Sequence, residues 1–347
     1  MRPSELLIAT PGGLYCPPGD FYIDPPRPVS RALITHAHSD HARAGHGSVL
    51  ASRETLAIMA LRLGAGFCQS RQVAAMGAPV RTGGVTVTFH PAGHVLGSAQ
   101  IAVEAGGLRI IASGDYKRAA DPTCAAFEPV ACDIFITEAT FGLPVFRHPP
   151  ALAEIGKLLA SQALFPERAH LVGAYSLGKA QRLMALLRQS GYERPLYMHG
   201  AMVKVTDFYR AEGAPLGDIR EVAATDRSKL GGEITICPPS ALQDVWSRRF
   251  PDPVHSAASG WLRVRARARQ GSVELPLVIS DHADWDELTA TIRETGCGEI
   301  WVTHGQEDAL VHWAKTQGLA ARPLRLAYAG DDAPDTPDTP DTPGEAA

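Results

Sequence analysis

Between Thr35 and Ala42 the chain reads THAHSDHA, so His36, His38, Asp40 and His41 fall within six residues. They follow directly on the apolar run ALIT. If that run is a strand, a turn at its end can aim three imidazoles and a carboxylate into one cavity. Such nitrogen and oxygen donors suit zinc. Two more candidates end later apolar runs: His94 in PAGHVLGS and Asp115 in IIASGDYK. A lone histidine at a strand end more often caps a turn. The repetition of the pattern after three separate runs makes a metal centre the stronger reading.

The elements that must hold these residues are short. Strands are predicted over 32–35, 85–89, 101–103, 108–112, 134–137, 171–173, 277–280 and 300–303, from valine- and isoleucine-rich runs. Helices are predicted over 53–63, with Ser52 as cap and Gly64 as stop, and over 152–164, 179–190, 285–295 and 308–317. Strands and helices mixed throughout indicate α/β layers. After Glu138 the composition shifts: Phe141–Pro150 holds three prolines, and no paired-histidine motif follows until Ser280. That pattern predicts one catalytic fold interrupted by an inserted domain.

Composition excludes several classes. The 347 residues include no apolar run of roughly 20, the length of a membrane span. The start, MRPSELLIATPGG, has no signal-peptide pattern, so a cytoplasmic protein is expected. Six scattered cysteines without a CxxC pair argue against a disulfide framework or a cysteine zinc site. The last 17 residues, DDAPDTPDTPDTPGEAA, carry six acids and no base. Segment 331–347 is thus expected to be a disordered tail. Without it, the formal charge changes from −4 to +2.

Three further positions stand at or just beyond predicted strands: Glu138 in FITEATFG, His282 in VISDHADWDEL and His304 in WVTHGQED. Taken with the histidine cluster, these motifs resemble the metallo-β-lactamase superfamily, and within it the β-CASP nucleases. That branch includes ribonuclease J, Artemis-like DNA-repair enzymes and the pre-mRNA 3′-end endonuclease. GAYSLGKAQ (Gly173–Gln181) matches a recurrent helix start of the branch. The resemblance implies a metallo-β-lactamase αββα sandwich, residues 1–140 and 275–330, with an inserted β-CASP α/β cap domain, residues 141–274. It also implies two divalent metal ions, zinc first and manganese as an alternative. His36, His38 and His94 would hold one, Asp40, His41 and His304 the other, and Asp115 would bridge them. Asp24 in FYID would steady the metal loop. Glu138 would orient His282, which would contact the scissile phosphate or protonate the leaving oxygen. Catalysis would then fall to Asp40, Asp115, Glu138 and His282.

PGGLYCPPGDFYIDPPRPVSRALITHAHSDHARAGH and SGWLRVRARARQG resemble in particular the bacterial ligase-associated DNA exonuclease group. The implied function is a two-metal phosphodiesterase, an exodeoxyribonuclease working 5′→3′ on single-stranded ends in DNA repair. Its associates would be an ATP-dependent DNA ligase and an Lhr-type helicase. Histidine at position 304 is more usual in RNA-acting members, so an RNA-processing ribonuclease is the alternative. A small-molecule metallo-hydrolase is the alternative of another class, but it has no need of so large an insertion. A scaffold without activity is disfavoured, because every ligand position is filled.

Two stretches are candidate nucleic-acid contacts. In WLRVRARARQ, an extended chain would put Arg263, Arg265, Arg267 and Arg269 on one face at roughly 6.7 Å intervals, near the spacing of phosphates on a single strand. A solvated edge strand or a helix are the plainer readings. Ser176 and Lys179 stand at a predicted helix start, where backbone N–H groups can hold a phosphate. The equal alternative is Ser176 as an N-cap with Lys179 in solvent.

Overall fold

The structure is a computed structural model and describes residues 1–264, 266–267 and 273–326. Its backbone forms three sheets. The first runs, in spatial order, Ile8–Thr10, Gly13–Cys16, Phe21–Ile23, Arg31–Leu33, His46–Ala51, Cys68–Val73. The second runs Ala320–Pro323, Glu299–Gly305, Ile134–Ala139, Leu108–Ala112, Ala99–Ala105, Val85–Pro91, Val80–Thr82. Strands of the two sheets alternate inward and outward, and their inward residues meet. Leu14, Phe21, Ile23, Leu33 and Leu50 pack there against Val87, Phe89, Ile101, Val103, Ile136 and Trp301.

Helices cover both outer faces. Arg53–Leu63 packs on the first sheet through Leu56, Ile58 and Met59. Its limits follow from its ends: Ser52 Oγ accepts the Thr55 N–H at 3.1 Å, and Gly64, at φ +87°, stops it. Trp285–Glu294 and Glu307–Thr316 cover the second sheet through Leu288, Ile292 and Leu310. The molecule is thus mixed α/β.

The third sheet is wholly parallel, with strands Ile219–Glu221, Leu196–Met198, Ile234–Cys237, His170–Gly173, Val254–Ala258 and Leu275–Leu277. Helices Ala151–Leu164, Lys179–Gln189 and Val203–Ala211 accompany it. Their apolar faces merge with the outer face of the first sheet: Val172, Leu183, Met184 and Tyr209 share one core with Ile34, Val49 and Met59. Among the described residues, no helix is long and apolar enough to cross a membrane.

Two predicted strands are shifted. The one expected over 32–35 is Arg31–Leu33, because the Thr35 N–H is taken by the Asp24 carboxylate at 2.8 Å instead of a ladder partner. The one expected over 277–280 is Leu275–Leu277, because Glu154 Oε2 accepts the Val278 N–H at 2.9 Å. The extended reading of WLRVRARARQ also fails where the chain is described. Gly260–Arg263 is a 3-10 turn begun by Ser259, whose Oγ accepts the Trp261 N–H at 3.3 Å. Arg267 folds back so that its guanidinium lies 4.2 Å from the centre of the Trp261 ring. Arg265, Arg269 and the tail 331–347 lie outside the described residues.

Candidate metal centre

The loop after Arg31–Leu33 is fixed from below by one carboxylate. Asp24, buried and at φ +43°, accepts the Thr35 N–H at Oδ1 (2.8 Å). Its Oδ2 takes the Thr35 O–H (2.5 Å) and the His41 Nδ1–H (2.8 Å). Because the Thr35 hydroxyl proton is committed to Asp24, its oxygen accepts from His36 Nδ1 at 3.1 Å. The same logic holds around the cluster. His94 Nδ1 donates to the Asp281 carbonyl (2.9 Å) and His38 Nε2 to the Leu177 carbonyl (3.2 Å). Each of these four imidazoles spends one nitrogen on an oxygen, which leaves the lone pair of the other facing inward.

Those inward nitrogens converge. His38 Nδ1 lies 3.1 Å from His36 Nε2 and 3.0 Å from His94 Nε2. A tetrahedral centre with nitrogen ligands at about 2.0–2.1 Å has ligand–ligand edges of roughly 3.4 Å, so the set is the right size for one ion. Asp115 Oδ2 is 3.4 Å from both His36 Nε2 and His41 Nε2, and 3.8 Å from His94 Nε2. Asp40 Oδ2 sits 3.5 Å from His41 Nε2. Ligand atoms of His36, His38, His94 and Asp115 thus form one convergent set, and those of His36, Asp40 and His41 form a second beside it.

The electrostatics also suit a cation. Burial, reinforced by the neighbouring histidines, pushes His94 down to about 3 and holds His36 well below its ordinary value. Burial acts upward on Asp115, but the His41 and His282 charges outweigh it and hold the carboxyl well below the usual range. Neutral His36 and His94 and an anionic Asp115 are the protonation states that divalent ions require. Burial acts downward on His41, but Asp115, Asp40 and Asp24 outweigh it and hold the imidazole well above its ordinary value, so this ring would give up a proton to an ion. The donor set therefore fits divalent metal ions.

His304 is placed differently from the rest. Its ring stacks on His41, with centroids 5.0 Å apart at 23°, and it is not in the convergent sets found among the described residues. Its backbone is at φ +55°, and the next residue, Gly305, closes tightly on the neighbouring strand Ile134–Ala139. A Cβ at Gly305 would meet the Ala139 carbonyl at 2.3 Å.

Beside the donors lies a second pair. Glu138 is buried on strand Ile134–Ala139; its Oε1 accepts the Tyr116 N–H (2.8 Å) and its Oε2 accepts from His282 Nδ1 (2.9 Å). Burial acts against a charged His282, yet Glu138 and Asp115 outweigh it and push the imidazole up to about 10.

The third sheet's layer closes over this end of the sandwich. Gly178, at φ +87°, lets the loop before Lys179–Gln189 come so near that a Cβ would meet Val95 at 2.3 Å. Lys179 is not a surface cation. It is buried, its Nζ lies 3.0 Å from Asp281 Oδ1, and it rides over the Tyr175 ring at 4.8 Å. The helix is capped at Gly178, not Ser176, with Gln181 accepting the Gly178 N–H at 2.8 Å. The reading of Lys179 in solvent is corrected: the side chain is buried, and Asp281 faces its ammonium. Ser176 is half-buried, and Arg263 and Arg267 are exposed.

The sequence reading missed Asp281, which stands beside His282 and supplies both a carbonyl to His94 and a carboxylate to Lys179. Adjacency to a histidine was its only signal. The anchoring carbonyl of Leu177 carried none.

No family model matches the chain. It is similar to the Probable DNA ligase of Opitutus terrae, 30% identical over 323 residues, which is 89% of this chain and 30% of that protein. It is similar to the Cleavage and polyadenylation specificity factor subunit 3 of Dictyostelium discoideum, 34% identical over 124 residues, 35% of this chain and 16% of that one. Endoribonuclease YSH1 of Saccharomyces cerevisiae is 31% identical over 131 residues, covering 36% and 16%. The chain therefore spans under a third of the length of these relatives. The fold is similar to the crystal structure of a protein of unknown function from Enterococcus faecalis V583, with TM-score 0.57 and 12% identity over 86% of this chain and 80% of that one. These similarities support a place for this chain in the metallo-β-lactamase β-CASP nuclease family.

Proposed function

We propose that this chain is a metal-dependent nuclease, a DNA exonuclease that trims single-stranded ends in the 5′→3′ direction during repair. The observation that carries the reading is the position of Asp115 Oδ2, 3.4 Å from both His36 Nε2 and His41 Nε2, with the Glu138–His282 pair alongside. His36, His38 and His94 would hold one divalent ion, Asp40 and His41 a second, and Asp115 would serve both, with His304 bordering the second. Zinc suits this nitrogen-rich set best, and manganese is the alternative. When bound, two such ions supply Lewis-acid polarisation of a phosphodiester and a water of lowered pKa.

The protein's own groups supply the rest. Asp24, through Thr35 and His41, fixes the orientation of the histidine loop. Glu138 holds Nδ1 of His282, so its other nitrogen is left to contact the scissile phosphate or to give a proton to the leaving oxygen. Exposed Arg263 and Arg267 would follow the phosphate backbone near Trp261. In this reading residues 1–140 and 275–330 are the catalytic unit and 141–274 the cap. The protein would act in the cytoplasm with an ATP-dependent DNA ligase and an Lhr-type helicase.

DNA is favoured because the relative that matches 89% of the chain carries DNA ligase in its name. RNA is the second reading, favoured by His304 and by relatives named endoribonucleases, which match 30% to 51% of the chain. Matched DNA and RNA strands, labelled at one end or the other and followed in time with zinc or manganese, test both. Stepwise shortening of DNA from its 5′ end is expected. Internal cuts in RNA with DNA intact would move the assignment to RNA processing, and hydrolysis of neither polymer would end the nuclease reading.

A further inference from the structure

The loop that carries His94 joins strands Val85–Pro91 and Ala99–Ala105, and two layers of the molecule hold it. Within it, Ser98 Oγ accepts the His94 N–H at 3.1 Å and the Val95 N–H at 3.2 Å. The Gly97 carbonyl takes the Ser52 hydroxyl at 2.7 Å and the Thr55 hydroxyl at 3.0 Å, both at the start of helix Arg53–Leu63. Gly97 is at φ +80°, and a Cβ there would meet Glu54 Cβ at 2.6 Å, so the loop lies flat on that helix start. These bonds secure one side of the loop.

The other side is held from the third sheet's layer. Tyr209, on helix Val203–Ala211, is completely buried, and its hydroxyl accepts the Leu96 N–H at 3.0 Å. Its ring packs in the core that the two layers share, so the hydroxyl reaches the loop from a fixed base. Without that oxygen the Leu96 N–H would face an apolar ring, and the loop must shift to find another acceptor.

His94 depends on this loop for its position. Its Nδ1 donates to the Asp281 carbonyl at 2.9 Å, which fixes the rotation of the ring, and its Nε2 lies 3.0 Å from His38 Nδ1. The loop fixes where the backbone that bears the ring stands. Groups that orient a metal ligand in this way account for about 10- to 100-fold in metal affinity. We infer that Tyr209 is a positioning residue for the metal centre. Through the Leu96 N–H it holds the His94 loop, and so raises the affinity for a divalent ion of the site that His36, His38 and His94 would form. The inference rests on the proposed role of His94 as a ligand and is independent of which polymer is cut.

Zinc affinity of the full chain, measured in competition with a chromophoric chelator and without substrate, tests this. Wild type, Y209F, H94A and H94A/Y209F are compared, with Y192F as control. Tyr192 is also a buried tyrosine, but its hydroxyl accepts from Gln162 Nε2 at 3.2 Å, so Y192F removes a hydroxyl that does not touch the loop. The expected result is that wild type binds two zinc ions, and that Y209F weakens one about 10- to 100-fold and the other less than about twofold. Y192F is expected to change neither. In the H94A background Y209F is expected to add no further loss, because its effect runs through His94. Unchanged zinc affinity in Y209F overturns the inference. So does equal weakening in Y192F, or an undiminished effect of Y209F in the H94A background. Each of these results leaves the nuclease reading standing, whereas a wild type that binds no zinc refutes the metal centre on which both depend.

Discussion

Lys179 Nζ lies 3.0 Å from Asp281 Oδ1, and both side chains are almost wholly buried. The pair joins the helix that follows the third sheet's first strand to the loop that carries His282. The same Asp281 offers its carbonyl to His94 Nδ1 at 2.9 Å, so Lys179 is one residue removed from a candidate metal ligand. Burial acts upward on the Asp281 carboxyl, but Lys179 and the neighbouring histidines outweigh it and hold it well below the usual carboxylate range.

Breaking that pair leaves an uncompensated buried charge. Lys179→Met is expected to cost about 3–5 kcal/mol of stability and to weaken metal retention, because the loop that orients His94 loses its tether. The double variant K179M/D281N is expected to recover part of the loss, as a coupled pair requires. Urea midpoints and metal content per chain check this. Additive losses would mean the two side chains act independently.

Asp115 touches both donor sets, so Asp115→Ala removes one ligand from each. Bound divalent metal is expected to fall from two ions per chain, and phosphodiester cleavage to be abolished, with circular dichroism unchanged. His38→Ala, on one set only, is expected to lose one ion. Metal analysis that finds full occupancy in either variant rejects these ligand assignments.

Removing metal has a thermal signature. A chelator leaves the imidazoles and carboxylates converging on nothing, and Tm is expected to drop. Re-addition to 100 times Kd restores about 2.7 kcal/mol per site. A Tm insensitive to chelator and to added zinc or manganese would falsify the metal centre.

Donor atoms of His282 and Glu138 also converge on Asp115, and those of His282 on His94, so metal content measured beside activity separates chemistry from metal binding. His282→Asn is expected to lower kcat by about 10²–10⁴ and Glu138→Gln to follow in the same direction, with metal content intact. Loss of metal in step with activity would make these residues structural supports.

His148 gives a pH dependence remote from the ligands. Its ring meets Phe141 edge-on at 4.6 Å, and both ring nitrogens are sealed from water without a hydrogen-bond partner. Burial, then the Lys117 charge, pushes it down to about 4; Asp284 acts the other way, and His282 and Lys179 act with Lys117. In the unfolded chain the group titrates near about 6.5, so the folded state binds fewer protons between those values. Its contribution is complete above about pH 6.5 and is lost as pH falls towards 4. His148→Leu is expected to flatten that slope by about 1–3 kcal/mol, measured as the difference in urea midpoints near pH 7 and pH 5. A difference that does not change with pH refutes it.

Much of this was legible in the chain because the signals are local. Helix 53–63 is written by Ser52, the spacing of Leu56 and Met59, and Gly64, and the structure keeps those limits. His36, His38, Asp40 and His41 fall within one turn, so their convergence needs only a strand before it. The interior strands read as apolar runs because both faces are buried, as at Ile134–Ala139. The first sheet's strands Gly13–Cys16 and Phe21–Ile23, flanked by glycine and proline, offered no comparable run.

What the amino-acid order determined alone was the inventory of donors and the strand ends that present them, since both depend on neighbours a few residues away. Only the tertiary structure decided which nitrogen of each imidazole faces inward, because that choice is made by oxygens from Asp24, Thr35, Leu177 and Asp281, some far off in the chain. It also decided that Lys179 is buried against Asp281, 102 positions away, instead of standing in water. A charge's partner at that separation is set by how the layers pack, and no local pattern encodes it.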